Sequence, residues 1–150
     1  MEFQGKRAVV MGGSRGIGRS IALGFAGAGA SVAICARGAE TLEKTRAELA
    51  ALGAQSFAAP CDLSDAEAIA RFIPDAAQAL GGIDILVNNA SGFGATDDEA
   101  GWAASLSVDV MAVVRASHAA EPYLERSGPG ASIINIASIS ALRATKRSAP

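Results

Sequence analysis

Ala8-Val9-Val10-Met11 runs directly into Gly12-Gly13-Ser14-Arg15-Gly16-Ile17-Gly18. Four apolar residues read as a buried strand, and the glycines allow a tight turn into a helix. That helix carries Ile17, Ile21 and Phe25 on one face and ends in Gly27-Ala28-Gly29-Ala30. A helix N-terminus behind such a turn aims backbone amides and positive partial charge at an anion. The spacing is G-x-x-x-G-x-G at Gly12, Gly16 and Gly18; Ile21 stands where the common G-x-G-x-x-G would end. In this setting the turn reads as a cradle for a nucleotide pyrophosphate. The plainer alternative is an ordinary strand-to-helix turn.

Outward from this turn, strand-length apolar runs alternate with helical patterns. Further strands are expected at Ser31–Ala36, Ser56–Ala59, Ile83–Val87 and Ser132–Ala137. Helices are expected from about Ala39 to Leu52, with Leu42, Leu49 and Leu52 inward, and along the stripe Ile69, Phe72, Ile73, Ala76 and Leu80, interrupted by Pro74. A long helix follows from roughly Gly101 to Arg126, stopped by Gly128-Pro129-Gly130. Ser64-Asp65-Ala66-Glu67 and Thr96-Asp97-Asp98-Glu99 read as capping boxes. The fold class is therefore α/β: a doubly wound (Rossmann) parallel sheet of five strands. Nothing follows to cover the far edge of the fifth strand, so the chain is expected to be truncated before the last strands of its sheet.

Composition excludes several classes. The 150 residues are half hydrophobic and 19% charged, as in one globular domain, taken as residues 1–150. A net charge of −2 argues against a nucleic-acid surface. Cys35 and Cys61 with a single His118 give neither a disulfide framework nor a metal site. Without a signal-peptide layout or a membrane-length apolar run, a soluble cytoplasmic protein is expected.

The second strand addresses which nucleotide. NAD users carry an acid near its end for the ribose 2′-hydroxyl. Here it ends Ile34-Cys35-Ala36-Arg37, without a carboxylate, and Arg37 with Arg15 can pair a 2′-phosphate. NADP is favoured over NAD; the alternative is two solvated arginines.

Taken together, Gly12-Gly13-Ser14-Arg15-Gly16-Ile17-Gly18, Cys61-Asp62-Leu63, Asn88-Asn89-Ala90 and Asn135-Ile136-Ala137-Ser138 closely resemble the classical short-chain dehydrogenases/reductases. The resemblance runs through the whole chain in order. It implies that Gly12, Ser14, Arg15, Gly16, Ile17 and Gly18 hold the cofactor phosphates, that Asp62 bonds the adenine amino group beside Leu63, and that Asn89, Ala90 and Ser91 pass beneath the cofactor. Ser138 would be the catalytic serine. The implied activity is NADP(H)-dependent interconversion of a ketone and a secondary alcohol, with 3-oxoacyl thioesters as a fair guess for the substrate. The partners implied are a small carbonyl or alcohol substrate and further copies of the chain, as a homotetramer when full length, with no nucleic acid and no membrane.

Four departures from the family pattern stand out. Met11 replaces the usual Thr, and Ser91 the usual Gly. Asp109 lies where the family commonly has an Asn that holds a proton-relay water, and is kept as a catalytic candidate. The family's Tyr acid/base, followed four residues later by Lys, is missing: the single tyrosine, Tyr123, has Ser127 at that spacing. Counted from Ser138, that Tyr would fall at or just past Pro150. The alternative function is accordingly a non-catalytic NADP(H)-binding fragment or regulator. His118 reads as a helix-surface residue, Cys35 and Cys61 as small buried hydrophobes, Trp102 as a helix anchor, and Arg143, Lys146 and Arg147 as a solvated basic cluster.

Overall fold

The structure, a computed structural model, describes residues 2–139 and 142. The expected alternation is present: β1 (Arg7–Met11), α1 (Gly16–Gly27), β2 (Ser31–Ala36), α2 (Ala39–Ala51), β3 (Ser56–Pro60), α3 (Ala66–Leu80) and β4 (Ile85–Asn88), then α4 (Glu99–Ser105), α5 (Val113–Ser127) and β5 (Ser132–Asn135). All strands are parallel, in the order β3-β2-β1-β4-β5. Met11 pairs with Cys35 on one side and Asn88 on the other, so the three central strands end level.

Strand alternation distributes the core between two faces. Val9, Met11, Ala33, Cys35 and Leu86 pack with the buried residues of α3 and α5. Ala8, Val10, Val32, Ile34, Ile85 and Val87 pack with those of α1 and α2. At the amino ends of the strands, Arg7 donates from its backbone N (2.9 Å) and from Nε (2.6 Å) to Asp84 Oδ2. This clamp ties β1 to the segment entering β4 and holds the Asp84 carboxyl below the usual range. The Asp is spent on the clamp, and β4 begins at Ile85 rather than Ile83. The fifth strand likewise ends at Asn135 rather than Ala137.

Other expectations are corrected by local competition. Ser64 does not cap α3, because its N–H and hydroxyl both donate to Asp62; Asp65 caps instead, accepting from Glu67 N. Asp98, not Thr96, caps α4: it accepts from Gly101 N while the Thr96 hydroxyl donates to it. Leu52, just past the end of α2, is 51% exposed, and Thr45 takes the inward place with Leu42 and Leu49. Pro74 lies inside α3 without ending it. The long helix runs from Glu99 to Ser127 but passes through a π-helical stretch at Leu106–Ala112. Trp102 is no buried anchor: it is exposed, and its Nε1 donates to Asp97. Arg143, Lys146 and Arg147 lie outside the described residues.

Candidate functional site

Strand order reverses between β1 and β4, so the loops leaving these neighbours turn to opposite sides and leave a crevice at their carboxyl ends. A cleft of about 1090 Å³ occupies this place. Gly12, Ser14, Arg15, Gly16 and Ile17 line it from the β1–α1 turn. Arg37, then Asp62 and Leu63, line it from the ends of β2 and β3, and Asn89, Ala90 and Ser91 from the end of β4. Eleven of the expected residues thus share one surface.

Close packing explains the sequence of this surface. Asn89 Nδ2 donates to Gly12 O at 3.0 Å, joining the β4 loop to the β1 loop. A side chain at Gly18 would collide with both Gly12 O and Asn89 Nδ2, so Gly18 lies beneath the cleft as a contact that only glycine permits. Gly12 combines φ +86 with a position where a Cβ would sit 2.9 Å from Ala90 Cβ. From α2, the Thr45 hydroxyl donates to Ser14 O at 3.1 Å and steadies the turn from outside. Asn88 Nδ2 donates to Asn135 Oδ1 at 2.9 Å, fixing the end of β4 to β5.

The electrostatics suit an anionic ligand. Helix α1 starts with no side-chain cap, whereas Asp65 and Asp98 cap α3 and α4, so its first amides stay available at the cleft. Arg15 and Arg37 are exposed at the rim, and among the described residues Arg15 makes no ion pair. Asp62 accepts from Ser64 N and Oγ; those bonds, and the charge of Arg37 behind them, hold its carboxyl below the usual range. The residues present therefore fit an anionic dinucleotide.

Asp109 and Ser138 are not among the cleft-lining residues. Asp109 sits in the π-helical stretch and reaches the cleft indirectly, its Oδ1 accepting from Gly92 N at 2.9 Å. Ser138 is exposed, three residues past the carboxyl end of β5. Sequence reasoning missed Thr41, Phe93, Ala104, Ser107 and Val108, which also line the cleft. Phe93 is exposed at φ +52, with its N–H held by Ser91 Oγ, and no sequence pattern announces it. Gly92 and Gly94 lie so near the backbone of α4 that a Cβ on either would collide with a carbonyl there.

A glycine-rich turn at an uncapped helix terminus, set at the switch point of a doubly wound parallel sheet, defines a Rossmann-type nucleotide-binding architecture. The chain belongs to the short chain dehydrogenase family, whose profile matches residues 6–150. It is 42% identical over 151 residues to the rhamnolipids biosynthesis 3-oxoacyl-(acyl-carrier-protein) reductase of Pseudomonas aeruginosa, covering 93% of this chain and 57% of that protein. To the 7alpha-hydroxysteroid dehydrogenase of Escherichia coli K12 it is 33% identical over 144 residues, covering 94% of this chain and 56% of that one. Among solved structures, a short chain dehydrogenase from Burkholderia cenocepacia J2315 in complex with NADP superposes with a TM-score of 0.92 at 40% identity, over 99% of this chain and 61% of that one. The chain thus spans little more than half the length of the curated relatives it matches.

Proposed function

We propose that this chain carries the cofactor-binding part of an NADP(H)-dependent oxidoreductase that interconverts a ketone and a secondary alcohol. The observation that carries the reading is the cleft itself, lined by the uncapped α1 terminus together with Arg15, Arg37 and Asp62. In this reading the amides of the Gly12–Gly18 turn hold the pyrophosphate, and Arg37 with Arg15 pairs the 2′-phosphate. Asp62 accepts from the adenine amino group beside Leu63, and Asn89, Ala90 and Ser91 support the cofactor from below. Solved relatives include NADP complexes as well as NADH- and NAD+-bound ones, so the choice of NADP rests on Arg37 and Arg15.

The bound nicotinamide would supply hydride to, or take it from, the substrate carbon. Ser138 donates a hydrogen bond to the carbonyl oxygen and polarises it. Asp109 is a positioning residue, holding Gly92 and through it the loop that borders the reacting end. The 3-oxoacyl reductases among the relatives support a 3-oxoacyl thioester as substrate. Exposed Leu106, Val110, Met111 and Val114 on the long helix support assembly of the complete protein as a homotetramer. No described helix is long and apolar enough to cross a membrane, which is consistent with a cytoplasmic home.

The test is NADPH oxidation with a 3-oxoacyl thioester, followed by absorbance. Steady turnover that falls about a hundredfold or more in Ser138→Ala supports the proposal. One observation favours a second reading, nucleotide binding without turnover. Tyr123 packs against the core under α5 with Arg126 4.7 Å from its ring centroid, and it does not line the cleft. Tight NADPH binding with no turnover would select that second reading.

A further inference from the structure

Phe93 is held in a conformation that its own side chain disfavours. Its φ of +52 lies in the left-handed region, where a bulky residue is an outlier. Such a conformation persists only where the surroundings fix it, and residues of this kind cluster at ligand sites. Here three contacts fix it. Gly92 N donates to Asp109 Oδ1 at 2.9 Å, Phe93 N donates to Ser91 Oγ at 3.1 Å, and Gly94 lies against Gly101 O and the Ser105 hydroxyl. The core gains nothing in return, because the Phe93 side chain is 73% exposed and belongs to neither hydrophobic cluster. What it borders is the cleft.

Its companions there are apolar. Among the described residues, the charged ones that line the cleft are Arg15, Arg37 and Asp62, which follow β1, β2 and β3. Strand β4 lies on the other side of β1 from β2 and β3. The described residues that line the cleft after β4 carry no charge, and Phe93, Ala104 and Val108 among them are apolar. Ser107 lies in the same stretch, but its hydroxyl donates to Ala104 O at 3.0 Å. The cleft therefore joins a charged lining, suited to the nucleotide, to an apolar one suited to hydrocarbon.

We propose that Phe93 is a specificity-determining residue whose ring is the apolar surface on which the acyl chain of a 3-oxoacyl thioester rests. The inference rests on the oxidoreductase reading above and deepens it by naming the part of the substrate that is recognised. Because the loop is fixed before the ligand arrives, binding orders little that was free. Each further methylene that reaches the ring adds apolar contact, so the preference is for a longer acyl chain over a shorter one. A contact remote from the reacting carbon is the same in the ground and transition states, so it acts on KM rather than on kcat.

The test compares steady-state NADPH oxidation by the complete protein with 3-oxobutanoyl and 3-oxooctanoyl N-acetylcysteamine thioesters. The longer substrate is expected to show the higher kcat/KM. Phe93→Gly adopts φ +52 without a side chain, and should raise KM for the longer substrate about tenfold more than for the shorter, with kcat held. Phe93→Leu keeps an apolar side chain and should recover most of the preference. Turnover of neither thioester by the unaltered protein overturns the oxidoreductase reading, and this inference with it. Turnover of both, with Phe93→Gly affecting the two substrates alike, overturns the inference alone. So does a Phe93→Leu variant that discriminates no better than Phe93→Gly.

Discussion

Asn89 and Gly12 lie just past the ends of different strands, 77 residues apart in sequence, and the side-chain amide of one donates to the carbonyl of the other across the floor of the cleft. That single bond holds together the two loops that diverge at the switch point. Its presence depends on Gly18, whose missing side chain leaves room for both partners.

Gly18→Ala is therefore expected to damage the site from below. The added methyl must displace Gly12 O or Asn89 Nδ2, at a cost of about 1–3 kcal/mol by overpacking. Thermal melting would read that loss, and NADPH titration would read weaker binding. An alanine variant with unchanged melting and affinity would contradict the packing described.

Arg37→Ala addresses nucleotide choice. A charge-assisted bond to a 2′-phosphate is worth roughly 1.5–3 kcal/mol, so NADPH affinity should drop about 10- to 100-fold. NADH affinity should barely move. Parallel fluorescence titrations with the two nucleotides decide the matter, and equal losses for both would remove Arg37 from the 2′-phosphate role.

The opposite end of the sheet predicts a pH effect. Because Arg7 lowers the folded-state value of Asp84, the unfolded chain binds the proton more readily. The stability from this pair is complete above the unfolded value of about 3.9 and is lost as pH falls through the lowered folded value. Asp84→Asn should cost about 2 kcal/mol at neutral pH and flatten the acid limb of the stability curve. Urea melts at neutral pH and across the acid range would show both effects.

Asp109→Ala removes the acceptor for Gly92 N, whereas Asp109→Asn keeps an oxygen there. Amide exchange at Gly92 and Phe93 should speed up in the alanine variant and stay slow in the asparagine variant. In the proposed enzyme, substrate KM should then rise more than kcat falls for alanine, with recovery by asparagine.

The β1–Gly-rich turn–α1 unit was readable because apolar runs and glycines act locally. Arg37, Asp62 and Asn89 could be assigned to one cleft because a parallel sheet brings all its carboxyl ends to one side. What escaped depended on partners distant in sequence or on competition between neighbours. Asp84 reads as part of a strand in the sequence because its partner, Arg7, lies 77 positions away. Asp62 took the Ser64 donors, so the capping residue moved by one. The π-helical stretch at Leu106–Ala112 left no mark in a periodicity that α-helix already satisfied. Phe93 followed from backbone contacts of Gly92 and Gly94 that no side-chain pattern encodes.

Those two glycines also set how the cleft can open. The Gly92–Gly94 loop packs directly on α4, against the backbone carbonyls of Gly101 and Ala104 and the Ser105 hydroxyl, so loop and helix form one wall of the cleft. Widening the cleft on this side would therefore have to carry α4 along with the loop, since the two cannot part without breaking these close contacts. The opposite wall is built on β1 and the turn into α1, so a ligand would lie between two walls carried by separate helices.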